Sequence, residues 1–318
     1  MPASNIIARS CYVRSFRVGS RCEKDCLSVK IHLIDGTYEL FRSHFGQPPR
    51  DTPQGRPIGA VRGLIQTLLS MLNQPEVTHV AVAFDTEIKS FRNELFAQYK
   101  DGSDTPVELK EQFPVAEQAV EALGIVKWSA INFEADDILA SAAVSFLADE
   151  EVEQIVICSP DKDLSQMVRG NKIVCFDSRK GMYLDASGVI EKFGVPPESI
   201  PDYLGLAGDS ADGIPGVPRW GIKASSTLLY RYRHIENIPT RHELWDIKVR
   251  GAAGLSRSLE NHRKEAELYK MLASLRLDVP IEETTSDLQW KGAIKSTFPR
   301  LCENLGINRL STQPYMWR

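Results

Sequence analysis

Three times the chain runs an apolar, β-branched stretch straight into aspartate. VKIHLID ends on Asp35, VAVAF (residues 80–84) is followed by Asp85, and IVIC (residues 155–158) leads into Asp161 and Asp163. Between these runs lie helical patterns near residues 60–72, 108–123 and 136–148. Strands of this kind alternating with helices predict an α/β fold: a mostly parallel central sheet with helices on both faces. In such a sheet the loops after the strands' carboxyl ends meet at one rim, where ligands bind. The pattern therefore predicts that Asp35, Asp85, Asp161 and Asp163 share a rim, joined by the start of the helix near Asp136.

Carboxylates so gathered repel. At ~4 Å and an effective dielectric of ~20 each like-charged pair costs about 4 kcal/mol. Hard divalent cations with oxygen ligands remove that cost, so Mg²⁺ is the simplest occupant. Glu134, Asp136 and Asp137 in FEADDILA also have an ordinary reading, since acids favour the first turn of any helix. Asp177 also ends an apolar run, but Arg179, Lys180 and Gly181 read as a turn into a second short strand, making Asp177 a turn residue.

Beyond residue 200 the alternation stops. PDYLGLAGDSADGIPGVPRWGIKASSTLLYRY holds an apolar helix, Asp209 and Asp212, a Pro/Gly turn and a helix starting near Lys223. This is the pattern of a helix-hairpin-helix, whose free backbone N–H groups hold phosphate without reading bases. Basic residues are frequent from 219 to 264, as they also are on solvated helices. The net charge of −4 would speak against a nucleic-acid partner if evenly spread, but a cluster of metal-binding acids would mask a basic face. No apolar run is long enough to span a bilayer. The six cysteines show no paired metal-ligand spacing and read as reduced and structural, as in an intracellular protein. Residues 1–28 are rich in arginine and serine with no acid before Glu23; a transit peptide, a disordered tail and an over-long start all fit. The expected compartment is the cytoplasm, or an organelle on the transit-peptide reading.

With these residues in view the chain resembles the 5′→3′ nuclease domain of bacterial DNA polymerase I and, more widely, the flap endonuclease family. LIDGTYELFR, AFDTEIKSFRNELFAQYK, FEADDILA, SPDKDL and GDSADGIPGV occur in family order with family-like spacing, from about residue 29 to near the C-terminus. The resemblance implies a PIN-like flap-nuclease fold: a nuclease domain over residues 29–200, a helical arch near 88–123, and a helix-hairpin-helix subdomain with C-terminal helices over 201–318. It implies a first metal group of Asp35, Asp85, Glu134 and Asp136 with Asp137 alongside, and a second of Asp161, Asp163, Asp209 and Asp212. Together these would hold two or more Mg²⁺ or Mn²⁺ ions for hydrolysis of one phosphodiester. Arg92 and Lys100 match arch residues that engage the scissile phosphate, Tyr99 a base-stacking position, and Arg42 a residue beside the DNA. Gly216, Val217, Arg219, Gly221 and Lys223 match the hairpin, where the family also binds a monovalent cation, K⁺. The implied partner is DNA with 5′ ends or flaps, RNA primers included, acted on by a monomer.

The chain departs from the family in places. Ser103 replaces an arch arginine. Arg219 stands where the hairpin usually has glycine, and Ala211 and Gly213 replace a serine and an asparagine beside the second-group aspartates. Two other readings fit parts of the pattern. A non-catalytic, structure-specific DNA-binding module would keep the acids as relics. LIDGT also resembles a haloacid dehalogenase-type phosphatase signature, but that chemistry needs an aspartate two residues before Asp35, where Leu33 stands.

Overall fold

In the computed structural model, residues 29–318 are described. The basic extension with Cys11, Cys22 and Cys26 lies outside the described residues. The chain runs β1 (Val29–Asp35), α1 (Gly36–Gly46), α2 (Gly59–Leu72), β2 (His79–Phe84), α3 (Phe91–Leu95), α4 (Val107–Lys110), α5 (Phe113–Ala122) and β3 (Val126–Ser129). It continues through α6 (Ala135–Leu147), β4 (Val152–Cys158), β5 (Ile173–Asp177), β6 (Met182–Leu184), α7 (Ala186–Phe193) and α8 (Ile200–Ala207). α9 (Ile222–Tyr232), α10 (Ala252–Asn261), α11 (Arg263–Ala273) and α12 (Phe298–Asn304) complete it.

The six strands form one sheet in the order β3-β2-β1-β4-β5-β6, parallel except for the β5–β6 hairpin. From β1 the chain first builds outward through β2 to β3, then returns across α6 to lay β4 on β1's other side. The order thus reverses between β1 and β4, and the crevice between their carboxyl ends is where an open α/β sheet takes its ligand. Side-chain alternation sends Ile31, Leu33, Ala81, Ala83, Ile155 and Ile157 to one face, under α6, α8 and α11. Ile34, Val80, Val82, Phe84, Val156 and Cys158 go to the other, under α1, α2 and α5. Both faces are covered, so these strands read as unbroken apolar runs.

The structure differs from the sequence expectations in four places. β3 was not anticipated: VKWS is short and its lysine breaks the apolar pattern. The helix expected over 108–123 is broken into α4 and α5, because Pro114 opens a new first turn and the Gln112 side chain turns away to accept the Ala60 N–H at 2.9 Å, capping α2. The expected arch carries only short helices, with none over residues 96–106. The grouping of 201–318 also divides. Trp290, Ala293, Phe298, Cys302 and Leu310 pack on the α1/α2/α5 face, so the last thirty or so residues return to the nuclease layer. The β5–β6 hairpin with Asp177 at its turn is as expected.

Candidate metal and phosphate site

Asp35 ends β1 and caps α1. Its Oδ1 accepts the Tyr38 N–H at 2.8 Å, and its Oδ2 accepts the Ser159 hydroxyl at 2.9 Å from across the crevice, just past β4. Gly36 allows this: a Cβ there would stand 2.5 Å from the Phe84 ring, so only glycine lets α1 lie close to β2. Asp85 follows β2, and its Oδ1 accepts the Ala135 N–H at 2.7 Å, tying it to the first turn of α6. Asp161 follows β4 and orients Asp163 by accepting its N–H at 3.0 Å.

The acids of FEADD divide between the two readings. Asp136 faces the cluster: burial, then Asp161 and Asp35, raises its carboxyl well above the usual range. Asp137 turns the other way. It is fully buried, and its carboxylate accepts Arg92 Nη1 and Nη2 at 2.7 Å each, the Arg276 N–H at 2.9 Å and the Glu134 N–H at 3.0 Å. With its acceptor sites used in this way, Asp137 is a helix cap and ion-pair partner, and its assignment to the metal group is corrected. Arg92 is corrected with it. Arg92 is 1% exposed, its guanidinium held by Asp137, by Glu134 Oε1 at 3.2 Å and by the carbonyls of Leu272 and Ser274, so it has no donor facing a phosphate.

Tyr99 is likewise buried, with its hydroxyl 3.3 Å from Glu134 Oε2, and offers no open ring face for a base. Lys100 lies between the two acid groups. Its ammonium sits 2.8 Å from Glu134 Oε2 and 2.9 Å from Asp212 Oδ1, with 40% of the side chain still accessible. Burial would lower its pKa, but Glu134, Tyr99 and Asp212 hold it well above the usual value. Glu134 responds in kind: burial alone would raise it, and Lys100 and Arg92 hold it below the ordinary range.

The second group is compact. One oxygen each from Asp163, Asp209 and Asp212 lies within 4.8 Å of the others. Burial, then Asp161, Asp212 and Asp209, pushes Asp163 well up, and its buried Oδ1 has no hydrogen-bond partner among the described residues. On the first-group side, burial pushes Asp35 up to about 7, with Asp85 and Asp161 adding to it against its two hydrogen bonds. Carboxylates shifted upward together, with an orphaned buried oxygen among them, are short of positive charge. An all-oxygen donor set of this kind fits hard divalent cations. The other acidic cluster among the described residues, Asp202 with His234 and Glu236, is not short of charge: Lys270 Nζ lies 2.8 Å from both Asp202 Oδ1 and Glu236 Oε1.

The Asp209 to Ile214 loop is closed by paired backbone hydrogen bonds of 2.8 and 2.7 Å, and the Asp209 side chain accepts the Ala211 N–H at 3.0 Å. Gly213 has φ +76°, and a Cβ there would fall 2.3 Å from the Gln98 carbonyl oxygen. The missing asparagine is thus matched to an arch that lies directly on this loop. In the hairpin, Gly216 packs against α8 with φ +74°, and the Val217 N–H donates to the Leu206 carbonyl at 2.9 Å. Arg219 keeps the left-handed turn at φ +73° without glycine, its guanidinium laid against Gly254. Trp220 is buried beside Trp245 and donates to the Leu255 carbonyl at 3.2 Å, which braces the turn on α10. Gly221 caps α9, and it and Lys223 are exposed at that helix's start. Arg42, away from the hairpin, is half-committed to Glu39 and Thr67.

Sequence reasoning missed Ser159 and Lys162. Lys162 stands between two of the motif's acids and reaches Asp209 Oδ2 at 2.6 Å. A lysine flanked by two metal-type aspartates was the available signal. A cavity of about 810 Å³ opens beside the first group, between Asp85, Glu134 and Lys100 on one side and Phe41, Thr37 and Phe113 on the other. Leu33 is buried in the core, so no phosphatase nucleophile position exists beside Asp35.

Residues 30–194 match the family model of the 5′-3′ exonuclease N-terminal, resolvase-like domain, and residues 195–296 that of the 5′-3′ exonuclease C-terminal SAM fold. DNA polymerase I of Pseudomonas aeruginosa is 38% identical over 79% of the chain, which spans only 27% of that protein's length. A 5′-3′ exonuclease of Buchnera aphidicola (subsp. Schizaphis graminum) is 34% identical over 85% of the chain and 93% of its own length. A bacteriophage T5 flap endonuclease, solved as a pseudo-enzyme-product complex with DNA and metal ions, superposes with a TM-score of 0.61 at 16% identity, covering 89% of this chain and 96% of that one. This last likeness is one of fold.

Proposed function

Because the chain belongs to the 5′-3′ exonuclease family, we propose that it is a structure-specific nuclease that hydrolyses DNA phosphodiesters from 5′ ends and at 5′ flaps, in replication or repair, using Mg²⁺ or Mn²⁺. The observation that carries this reading is the second acid group: Asp163, Asp209 and Asp212 within 4.8 Å, with Asp163 Oδ1 buried and unpartnered among the described residues, beside Asp35, Asp85 and Asp136, whose carboxyls are raised by burial first and by neighbouring carboxylates second. Asp35, Asp85, Asp136 and Glu134 would hold one ion, and Asp161, Asp163, Asp209 and Asp212 another. When bound, divalent ions supply an acidified water and charge stabilisation for the attacking and leaving oxygens.

The protein's own groups do the rest. The strand ends and the α6 cap keep Asp35 and Asp85 in place, Ser159 and Asp161 orient their neighbours, and Lys162 holds Asp209. Lys100 is the cation placed to meet the scissile phosphate at the edge of the cavity. No side chain need act as a covalent nucleophile. Exposed backbone N–H groups at the start of α9, with Gly221, Lys223 and Arg219, grip the duplex backbone without reading sequence. The Gly216 to Gly221 turn is the seat for the K⁺ that the family resemblance implies, and Arg42 contributes a partly free guanidinium nearer the first group. Among the described residues no helix is long and apolar enough to cross a membrane, and the proposed site of action is the cytoplasm and nucleoid, as a monomer. RNA primers present the same 5′ backbone and belong to the proposed substrate class.

A panel of 5′-flap, nicked, gapped and single-stranded DNA, and an RNA-primed duplex, each labelled at either end and incubated with Mg²⁺, tests this. Short 5′-labelled products that vanish with chelator are expected. Binding without metal-dependent cleavage of any member would favour the DNA-binding module instead.

A further inference from the structure

Lys100 is tied down by the acids it is proposed to serve. Its ammonium spans the two groups, 2.8 Å from Glu134 Oε2 on one side and 2.9 Å from Asp212 Oδ1 on the other. Its own backbone N–H donates to the Asp212 carbonyl at 3.0 Å, and Gly213 packs on the Gln98 carbonyl two residues before it. Two of the three ammonium donors are therefore spent on carboxylates, and what remains for a phosphate is a single donor. A divalent ion drawing on Glu134 or Asp212 takes the same oxygens. One set of carboxylate oxygens cannot fully serve both cations.

Resting on the nuclease reading above, we propose that Lys100 is the metal-free protein's internal counter-ion, and that divalent-ion binding displaces it from Glu134 and Asp212 and turns it toward the scissile phosphate. Metal loading and substrate grip are then linked. By reciprocity, a phosphate that captures Lys100 tightens the metal by the same factor as the metal tightens the phosphate. Within the acid cluster Lys100 supplies positive charge to Glu134 and Asp212, and Lys162 to Asp209. This arrangement makes the unliganded site a closed one, with its phosphate-binding cation withheld until the ions are present.

Two measurements on DNA-free protein test the exchange. In the wild-type chain, lysine acylation followed by mass spectrometry should show Lys100 labelled several-fold faster once saturating Mn²⁺ is added, while exposed Lys295 labels at an unchanged rate. Mn²⁺ affinity, read from the free-ion paramagnetic resonance signal, should be about 5-fold or more tighter in Lys100→Met than in the charge-matched control Lys295→Met, the range typical of a coupling between sites. Mn²⁺-independent labelling of Lys100, or equal or weaker affinity in Lys100→Met, would overturn the proposal. Flap cleavage by the wild type is scored separately, so the exchange can fail while the nuclease reading stands.

Discussion

Replacing Arg92 by methionine separates a buried structural ion pair from a surface phosphate contact. Methionine keeps most of the volume and the apolar stem but removes both 2.7 Å bonds to Asp137 and the donors to the Leu272 and Ser274 carbonyls. Asp137, with no exposed surface, is left with two backbone N–H groups against a full negative charge. Breaking one side of a buried pair costs ~3–5 kcal/mol, because the partner charge stays buried without compensation. Whole-domain stabilities are only about 5–15 kcal/mol, and 1 kcal/mol moves the melting temperature by ~2–4 °C in chains near this size. Metal-free urea unfolding followed by circular dichroism should therefore show a midpoint well below the wild type, with melting lowered by roughly 6–20 °C on that conversion. Arg92→Met combined with Asp137→Leu should recover part of the loss, since neither charge is then stranded. An Arg92→Met protein within about 0.5 kcal/mol of wild type, the cost typical of a surface change, would refute the buried-pair assignment. It would return Arg92 to the phosphate.

Two further outcomes follow from the same geometry. Metal-free stability should fall as pH rises from about 4 to about 7: the folded Asp35 carboxyl is pushed up to about 7, with Asp136 and Asp163 also raised, so the native state holds protons that the unfolded chain has already released. Saturating Mg²⁺ should flatten that slope, and a metal-free stability that rises through this window in thermal melts would contradict the charge-deficient site. Restoring the family asparagine with Gly213→Asn should destabilise the chain by ~1–3 kcal/mol, because its Cβ would meet the Gln98 carbonyl oxygen at 2.3 Å, and should slow cleavage more than it weakens duplex binding; a neutral or stabilising effect on unfolding would show that the arch is not docked on this loop.

Much of this was legible in the sequence because strand ends and acids obey the same rule. An apolar run followed by aspartate locates a rim carboxylate whatever the loop does next, so the pattern alone puts Asp35, Asp85, Asp161 and Asp163 at one rim. What was not legible depends on contacts distant in sequence. Arg92 and Asp137 are 45 positions apart, and nothing local distinguishes a buried arginine from an exposed one on a short helix. The division of FEADD followed from helix geometry once α6 began at Ala135: adjacent acids point in different directions, so Asp136 reaches the rim while Asp137 folds back as a cap. β3 was hidden by its length, and the broken arch by the Gln112 side chain leaving its own helix to cap another.

The most direct test of the central claim is single-turnover cleavage of a 5′-labelled flap duplex in Mg²⁺ by wild type and Asp163→Asn, with duplex affinity measured in parallel in Ca²⁺. Asp163 carries the orphaned buried oxygen of the second acid group. Loss of cleavage by several orders of magnitude with flap affinity within a few-fold of wild type is the result expected when one transition-state charge stabiliser is removed. Near-normal cleavage by Asp163→Asn would contradict the account at its base.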